Sequence, residues 1–111
     1  MKRQTVTDWQ HDITRWAVRK GWLDLDKPRE PLHLLMLVVT ELAEAAEAFR
    51  TGNPPCERPG MERFSHVEEE IADAVIRLFQ MAGEFGWDLE AAISAKMEFN
   101  ETRPHMHGKL A

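Results

Sequence analysis

One stretch limits the fold of this chain more than any other: LHLLMLVVTELAEAAEAFR, from Leu32 to Arg50. Its residues favour a helix, Pro31 suits a first helical turn, and Gly52 lies just past the end. The stretch is apolar on nearly every face of that helix, and such helices are buried between neighbours. Because 111 residues provide only a modest core, the sequence predicts self-association as well as helix packing.

Two carboxylates interrupt this apolar helix. With about 100° per residue, Glu41 falls in the middle of an apolar arc and Glu44 about 60° to its side. The arc consists of Leu34, Leu37, Val38, Ala45 and Ala48. A buried carboxylate is costly unless it is protonated, paired with a cation or bound to a metal ion. From this helix alone, a structural explanation accounts for the glutamates as well as a functional site does: a buried ion pair, or a place at the edge of a looser packing.

A later helix carries a second pair of acids at the same spacing. The motif EIAD places Glu70 and Asp73 three residues apart, with Glu70 at the border of an apolar face. Taken alone, the pair is explained by the helix dipole or by an ion pair between Asp73 and Arg77. If the two helices pack antiparallel, however, four carboxylates converge and need cations. Carboxylate oxygens select hard divalent ions, which predicts Mg²⁺, with Mn²⁺ as the alternative.

The last helix supplies positive charge. Lys96, Asn100 and Arg103 are spaced at i, i+4 and i+7 on its packing side, and their side chains suit phosphate oxygens. The helix dipole also favours basic residues near a C-terminus, which explains them without any ligand. We expect residues 104–111 to form a flexible tail, in which His107 and Lys109 would add donors if it folded back.

Four helical segments account for most of the chain, and no segment shows the alternation of a strand. The first segment has an apolar stripe at helical spacing and ends at the stop signal Lys20-Gly21. The stripe consists of Trp9, Ile13, Trp16 and Ala17. We therefore predict one all-α domain over residues 1–111, a small four-helix bundle that completes its core by oligomerisation.

The boundaries of the later helices are marked by capping signals. Ser65 and Glu68 form a capping-box pattern at the start of the third helix. Asp88 is the expected N-cap of the fourth helix, which ends before Pro104. Residues 51–64, TGNPPCERPGMERF, are rich in Pro and Gly and are predicted to form a loop.

Charge and composition argue against several classes of protein. A net charge of −5 without a long basic stripe disfavours nucleic-acid binding. The longest purely apolar run is too short to cross a bilayer, and the first residues contain no signal core, so no membrane partner is expected. Cys56 is the single cysteine, which rules out an intrachain disulfide and fits a reducing cytosol. We expect a cytoplasmic protein, in the host cytoplasm if a phage encodes it.

Taken together, the motifs resemble those of a known family. ELAE, EIAD and KMEFNETR follow one another in the order E-x-x-E, E-x-x-D and K-x-x-x-N-x-x-R. This order resembles the MazG-like nucleotide pyrophosphohydrolases of the all-α NTP pyrophosphatase superfamily, especially the small single-domain proteins of bacteria and phages. The resemblance extends roughly from Leu32 to Lys109. Thr40 departs from it, since many relatives carry a glutamate there, so an accessory carboxylate has no support here.

The resemblance implies a reaction and a set of site residues. The reaction is hydrolysis of a nucleoside triphosphate to its monophosphate and pyrophosphate, by water attack at the α-phosphorus. The implied catalytic and Mg²⁺-binding residues are Glu41, Glu44, Glu70 and Asp73, and which of them acts as a base stays open. The implied substrate-binding residues are Lys96, Asn100, Arg103 and Lys109. Members of the family are dimers or tetramers with sites built from several helices and in some cases two chains, so a homodimer or tetramer is expected.

The resemblance leaves the base undetermined, although deoxynucleotides are expected to be favoured. Four tryptophans offer rings that could stack on a base: Trp9, Trp16, Trp22 and Trp87. Core packing explains Trp9 and Trp16 better. His33 could bond a base or sugar, but a structural role at the helix start is more common.

Two other classes of protein compete with this interpretation. A non-catalytic helical interaction module would carry its acids on a solvated face, and the position of Glu41 in an apolar arc argues against that. A di-iron carboxylate bundle needs two Glu-x-x-His motifs on separate helices. The chain contains only EPLH, from Glu30 to His33, at a proline-marked helix start.

Overall fold

A computed structural model describes residues 3–104, which form four helices. These are α1 (Val6–Arg19), α2 (Pro31–Arg50), α3 (His66–Phe85) and α4 (Leu89–Glu101). Across the same residues, β pairing is limited to one isolated bridge between Pro55 and Ser65. The prediction of an all-α chain is confirmed, whereas His107 and Lys109 lie outside the described residues.

The helix ends form at the capping signals in the sequence. The Ser65 hydroxyl accepts a bond from the Glu68 amide at 3.2 Å, and the Glu68 carboxylate accepts one from the Ser65 amide at 2.9 Å. Asp88 caps α4 by accepting from the Ala91 amide at 3.1 Å. Gly86 ends α3 with a φ of 72°, a left-handed conformation that glycine adopts without steric cost. The chain can therefore turn from α3 into α4 within three residues.

Helix α3 occupies the centre of the fold. Its most extensive interface is with α2, and α1 packs on another part of its surface, while α4 packs mainly on α1. The buried apolar side chains of the helices are mostly small: Ile13, Ala17, Leu34, Val38, Ala45, Ala48, Ala74, Met81 and Ala82. Small side chains let the axes of two helices approach closely, and side chains of one helix then fit into grooves of the other. This packing fixes which residues of α2 lie opposite which residues of α3.

Backbone bonds close the loop between α2 and α3 on itself. The His66 amide donates to the Pro54 carbonyl at 2.8 Å, and the Val67 amide donates to the Asn53 side chain at 3.0 Å. The first turn of α3 therefore lies beside the residues that follow α2. As a result, α3 runs back along α2, and the two acidic motifs face each other at similar distances from the turn.

Much of the apolar surface stays uncovered in the single chain. Helix α2 exposes Leu32, Leu35, Met36, Val39, Leu42 and Phe49. Trp9, expected to pack in the core, is 48% exposed. Burial of α2 on several sides thus needs a partner, and oligomerisation stays a prediction. No helix among residues 3–104 is both long enough and apolar enough to span a membrane.

Candidate functional site

Three carboxylates meet where α2 packs on α3. One oxygen from each of Glu41, Glu44 and Glu70 lies within 4.8 Å of the other two. Glu41 is buried with 8% of its surface exposed, Glu44 is exposed, and Glu70 is intermediate. We call these three residues the carboxylate cluster. Its donors are all oxygens, a set that matches hard divalent cations.

Glu70 is the member whose ionisation is most perturbed. Burial raises the pKa of Glu70 to about 7, and hydrogen bonding to Glu44 and Glu41 contributes to the same shift. A proton on Glu70 relieves the repulsion among the three groups. A divalent cation in its place would relieve the repulsion more fully, and the crowded oxygens fit such an ion.

The fourth acid of the motifs, Asp73, adjoins the carboxylate cluster but is not part of it. Burial raises its pKa, and the nearby negative charges of Glu41 and Glu69 add to the effect. Asp73 and Glu41 both line a neighbouring cavity. The structure therefore brings three of the four predicted acids together and places the fourth at the edge of that cavity.

Glu41 also takes part in an ion pair, one of the explanations that the sequence left open, although this pair is only partly buried. The Arg77 Nε atom donates to the Glu41 Oε1 atom at 3.0 Å. The spacing within α3 offers Arg77 as an i+4 partner of Asp73, but the hydrogen bond of Arg77 goes to Glu41 on the neighbouring helix instead. No spacing rule within α3 could reveal this bond, because it depends on the register between α2 and α3.

The cavity beside Glu41 has a volume of about 460 Å³. Its walls include Trp16, Trp22, Gln80, Arg77, Glu41 and Asp73. The two indole rings are perpendicular, with their centroids 4.7 Å apart. This volume is in the range of pockets that hold small organic ligands. The lining of this cavity thus combines aromatic rings with two acids, Glu41 and Asp73, and two arginines, Arg29 and Arg77.

The basic motif of α4 is not brought to the acids within one chain. Helix α4 has no buried residue, and Lys96 and Arg103 lie over the ring of Phe99. The Asn100 Oδ1 atom is buried without a hydrogen-bond partner among residues 3–104. Lys109 lies outside the described residues, and His33 is exposed in the first turn of α2.

A second polar cluster, not predicted from the sequence, fixes the loop to α3. The buried Glu69 carboxylate accepts bonds from Cys56 Sγ at 2.8 Å and from Arg58 Nε at 3.1 Å. These contacts lower the pKa of Glu69, the bond from Cys56 having the largest effect. Glu69 precedes Glu70 in the chain, so this cluster anchors the helical turn that carries one of the site acids. In the sequence, Glu69 looked like one more acid in a helix start.

The chain is an all-α protein in which acids from two helices meet at one helix contact, so it falls in the class of carboxylate-bearing helical proteins. Comparison with known proteins indicates which members of that class it is similar to. The chain is 31% identical over 108 residues to dCTP pyrophosphatase 1 of Bos taurus. The proteins of the same name from Mus musculus and Homo sapiens are 31% and 28% identical over 107 and 106 residues. Each match covers 93% of this chain.

These proteins are homologues of the chain, and they confirm its resemblance to the MazG-like nucleotide pyrophosphohydrolases. The chain spans 61% of the length of these curated relatives. No family model matches the sequence.

Proposed function

We propose that the chain is a Mg²⁺-dependent nucleoside triphosphate pyrophosphohydrolase that converts (d)NTP to (d)NMP and pyrophosphate. The observation that carries this proposal is the convergence of Glu41, Glu44 and Glu70 on one point, with the pKa of Glu70 raised to about 7. The relatives named dCTP pyrophosphatase 1 support the same activity. Deoxynucleotides are the expected substrates, and dCTP is the first to test.

Glu41, Glu44 and Glu70 would hold the cation, with Asp73 completing the set from the edge of the cavity. The bound ion would offset the charge of the triphosphate and increase the acidity of the attacking water. A motif carboxylate that is not engaged with the ion can accept the proton of this water. The water oxygen bonds to the α-phosphorus as the bridging bond to the β-phosphate breaks, so that pyrophosphate leaves.

The nucleoside would lie in the cavity beside the carboxylate cluster. Trp16 and Trp22 offer rings for contact with the base, and the Gln80 amide offers both a donor and an acceptor. The phosphates would then point towards Glu41 and Asp73. This placement accounts for the presence of aromatic rings and charged side chains in one cavity.

Lys96, Asn100 and Arg103 would bind the phosphates in an assembly of at least two chains. In the single chain α4 packs mainly on α1, while α2 and α3 carry the acids. A second copy could cover the exposed apolar faces of α2 and α3 and present its own basic motif to the acids. We therefore propose a homodimer or tetramer, with a cytoplasmic location suggested by the free thiol of Cys56.

The test is product analysis with eight common nucleoside triphosphates and Mg²⁺, run beside EDTA and Glu70→Gln. We expect pyrophosphate with matching monophosphate, lost in EDTA and in the variant. Glu47→Gln changes an exposed acid on α2 and should retain activity. Orthophosphate with diphosphate would show that the wrong bond is cut, and no product from any nucleotide would refute the proposal.

The Glu41–Arg77 ion pair supports one competing function, a non-catalytic interaction module stabilised by buried charge. In that case Glu41→Gln would lower the melting temperature and the wild-type protein would release no pyrophosphate. An enzyme would instead yield a folded Glu41→Gln variant without activity.

A further inference from the structure

Arg77 lines the cavity and is bonded to Glu41 of the carboxylate cluster. Its Nε atom is bonded to Glu41, whose side chain is 11% exposed, whereas the Arg77 side chain is 40% exposed. Within residues 3–104, Glu41 is the partner to which this guanidinium donates. Both terminal nitrogens of Arg77 are therefore available to a ligand in the cavity.

Arg29, the other arginine that lines the cavity, is held more tightly. Arg29 donates to Glu84 through Nε at 3.0 Å and Nη2 at 2.7 Å, and its backbone amide bonds the same carboxylate. The Glu84 side chain is fully buried, so its charge holds Arg29 in place. Arg77 is bonded through Nε alone, so it is the less constrained of the two guanidinium groups in this cavity.

The position of Arg77 corresponds to one part of a nucleotide. If the phosphates bind at the carboxylate cluster and the nucleoside binds in the cavity, the α-phosphate lies where the cavity meets the cluster. Arg77 lines the cavity and bonds a member of the carboxylate cluster, so it is within reach of that phosphate. A guanidinium can bind two phosphate oxygens at once through parallel N–H bonds. The single bond from Arg77 to Glu41 leaves enough N–H donors for such a contact.

We propose that Arg77 binds the α-phosphate of the substrate with its two terminal nitrogens, and that its Nε bond to Glu41 is given up once a cation neutralises that carboxylate. Without nucleotide, Arg77 is the counterion of Glu41 and competes with a metal ion for that carboxylate. When a cation neutralises Glu41, the guanidinium turns to the α-phosphate, where it also stabilises charge that develops during attack. This inference rests on the proposed function for the placement of the nucleotide.

The test is Arg77→Gln, with Arg50→Gln as the matched control. Arg50 is also an arginine of an ion pair, with Glu47, but its side chain is 74% exposed. Titrations of dCMP and of deoxycytidine in saturating Mg²⁺, followed by tryptophan fluorescence, give the contribution of the phosphate to affinity. We expect Arg77→Gln to lower the ratio of dCMP affinity to deoxycytidine affinity about tenfold or more, with the deoxycytidine affinity itself unchanged. Calorimetry with Mn²⁺ alone should show tighter binding in Arg77→Gln, because the competing cation is gone.

Weaker binding of dCMP together with tighter binding of Mn²⁺ distinguishes this role of Arg77 from a structural one. If Arg77 only positions Glu41, Mn²⁺ binding weakens and the dCMP to deoxycytidine ratio stays at the wild-type value, which overturns the inference. Should Arg77→Gln not fold, Arg77→Lys keeps the charge but loses the two-pronged contact, and the same ratio must still fall. Pyrophosphate release by the wild-type protein tests the proposed function separately, so the two can fail independently.

Discussion

Glu70 is the residue whose protonation the fold controls most directly. Its pKa is raised from 4.5 to about 7 in the folded chain, so between these values the folded state keeps a proton that the unfolded state has lost. Without metal, the free energy of unfolding should therefore fall as the pH rises from about 4.5 to about 7, and level off above. Glu70→Gln stays neutral at every pH and should be more stable than the wild type at pH 8.

Urea titrations in EDTA over this pH range test the expectation. The slope assigned to Glu70 should vanish in Glu70→Gln and persist in Glu47→Gln. Mg²⁺ at pH 8 should then stabilise the wild type more than Glu70→Gln, because it binds the folded state in place of the proton. An identical pH slope in wild type and Glu70→Gln would contradict the raised pKa.

Gly83 fixes the distance between α1 and α3. A Cβ atom there would lie 3.0 Å from the Thr14 Cβ atom and closer still to its hydroxyl, so α1 would have to shift. Although alanine is the better helix former by about 1 kcal/mol, we expect Gly83→Ala to destabilise the chain by about 1–3 kcal/mol. Chemical denaturation measures this, and combining it with Thr14→Gly should cost less than the sum of the single changes. Strict additivity would show that the contact is unimportant.

The convergence of acids at the candidate site could be predicted from the sequence, whereas the hydrogen-bond partners of these acids could not. Glu41 stands out because helical periodicity alone places it in an apolar arc, and the matching spacing in EIAD points to a second helix. The choice of Arg77 between Asp73 and Glu41 depends on the register of two helices. Likewise, nothing in the spacing of Cys56 and Glu69 indicates that they bond.

At the level of whole elements, the start of α3 depends on the loop before it. Cys56 and Arg58 both donate to Glu69, so the loop and the first turns of α3 form one unit. Glu69→Gln removes the charge that holds Arg58 and weakens this unit. We expect faster hydrogen exchange at the amides of Cys56 and His66, which are bonded to Phe64 and Pro54 across the loop.

Glu62→Gln is the control for this change, since Glu62 is an exposed acid of the same loop. Exchange at the Cys56 and His66 amides should match the wild type in this control. Equal exchange in Glu69→Gln and Glu62→Gln would show that the backbone bonds suffice to hold the loop. Because the pKa of Glu69 is lowered, its contribution to stability is present above pH 4.5 and is lost as the pH falls through its folded pKa.

On the scale of the whole molecule, the single chain keeps its acidic and basic motifs apart and leaves apolar side chains exposed. The acids gather between α2 and α3, the basic motif lies on α4, and α4 has no buried residue. Apolar side chains are exposed on the same α4, among them Ile93, Met97 and Phe99. A two-fold symmetric dimer would change both features, since α4 of each chain would cover exposed apolar surface of the partner and bring its basic side chains to the partner's acids.

Mixing two inactive variants tests this arrangement. Glu70→Gln lacks an acid and Lys96→Ala lacks a cation, and each should be inactive alone. If a site takes its acids from one chain and its cations from the other, a mixed dimer of the two variants contains one intact site. Refolding them together at equal concentrations should then restore about a quarter of the wild-type activity, because half of the dimers are mixed and each has one working site of two. With mixing verified by differently tagged chains, an absence of recovery would place Lys96 and Glu70 of the same chain in one site, and α4 would then have to move from its position on α1.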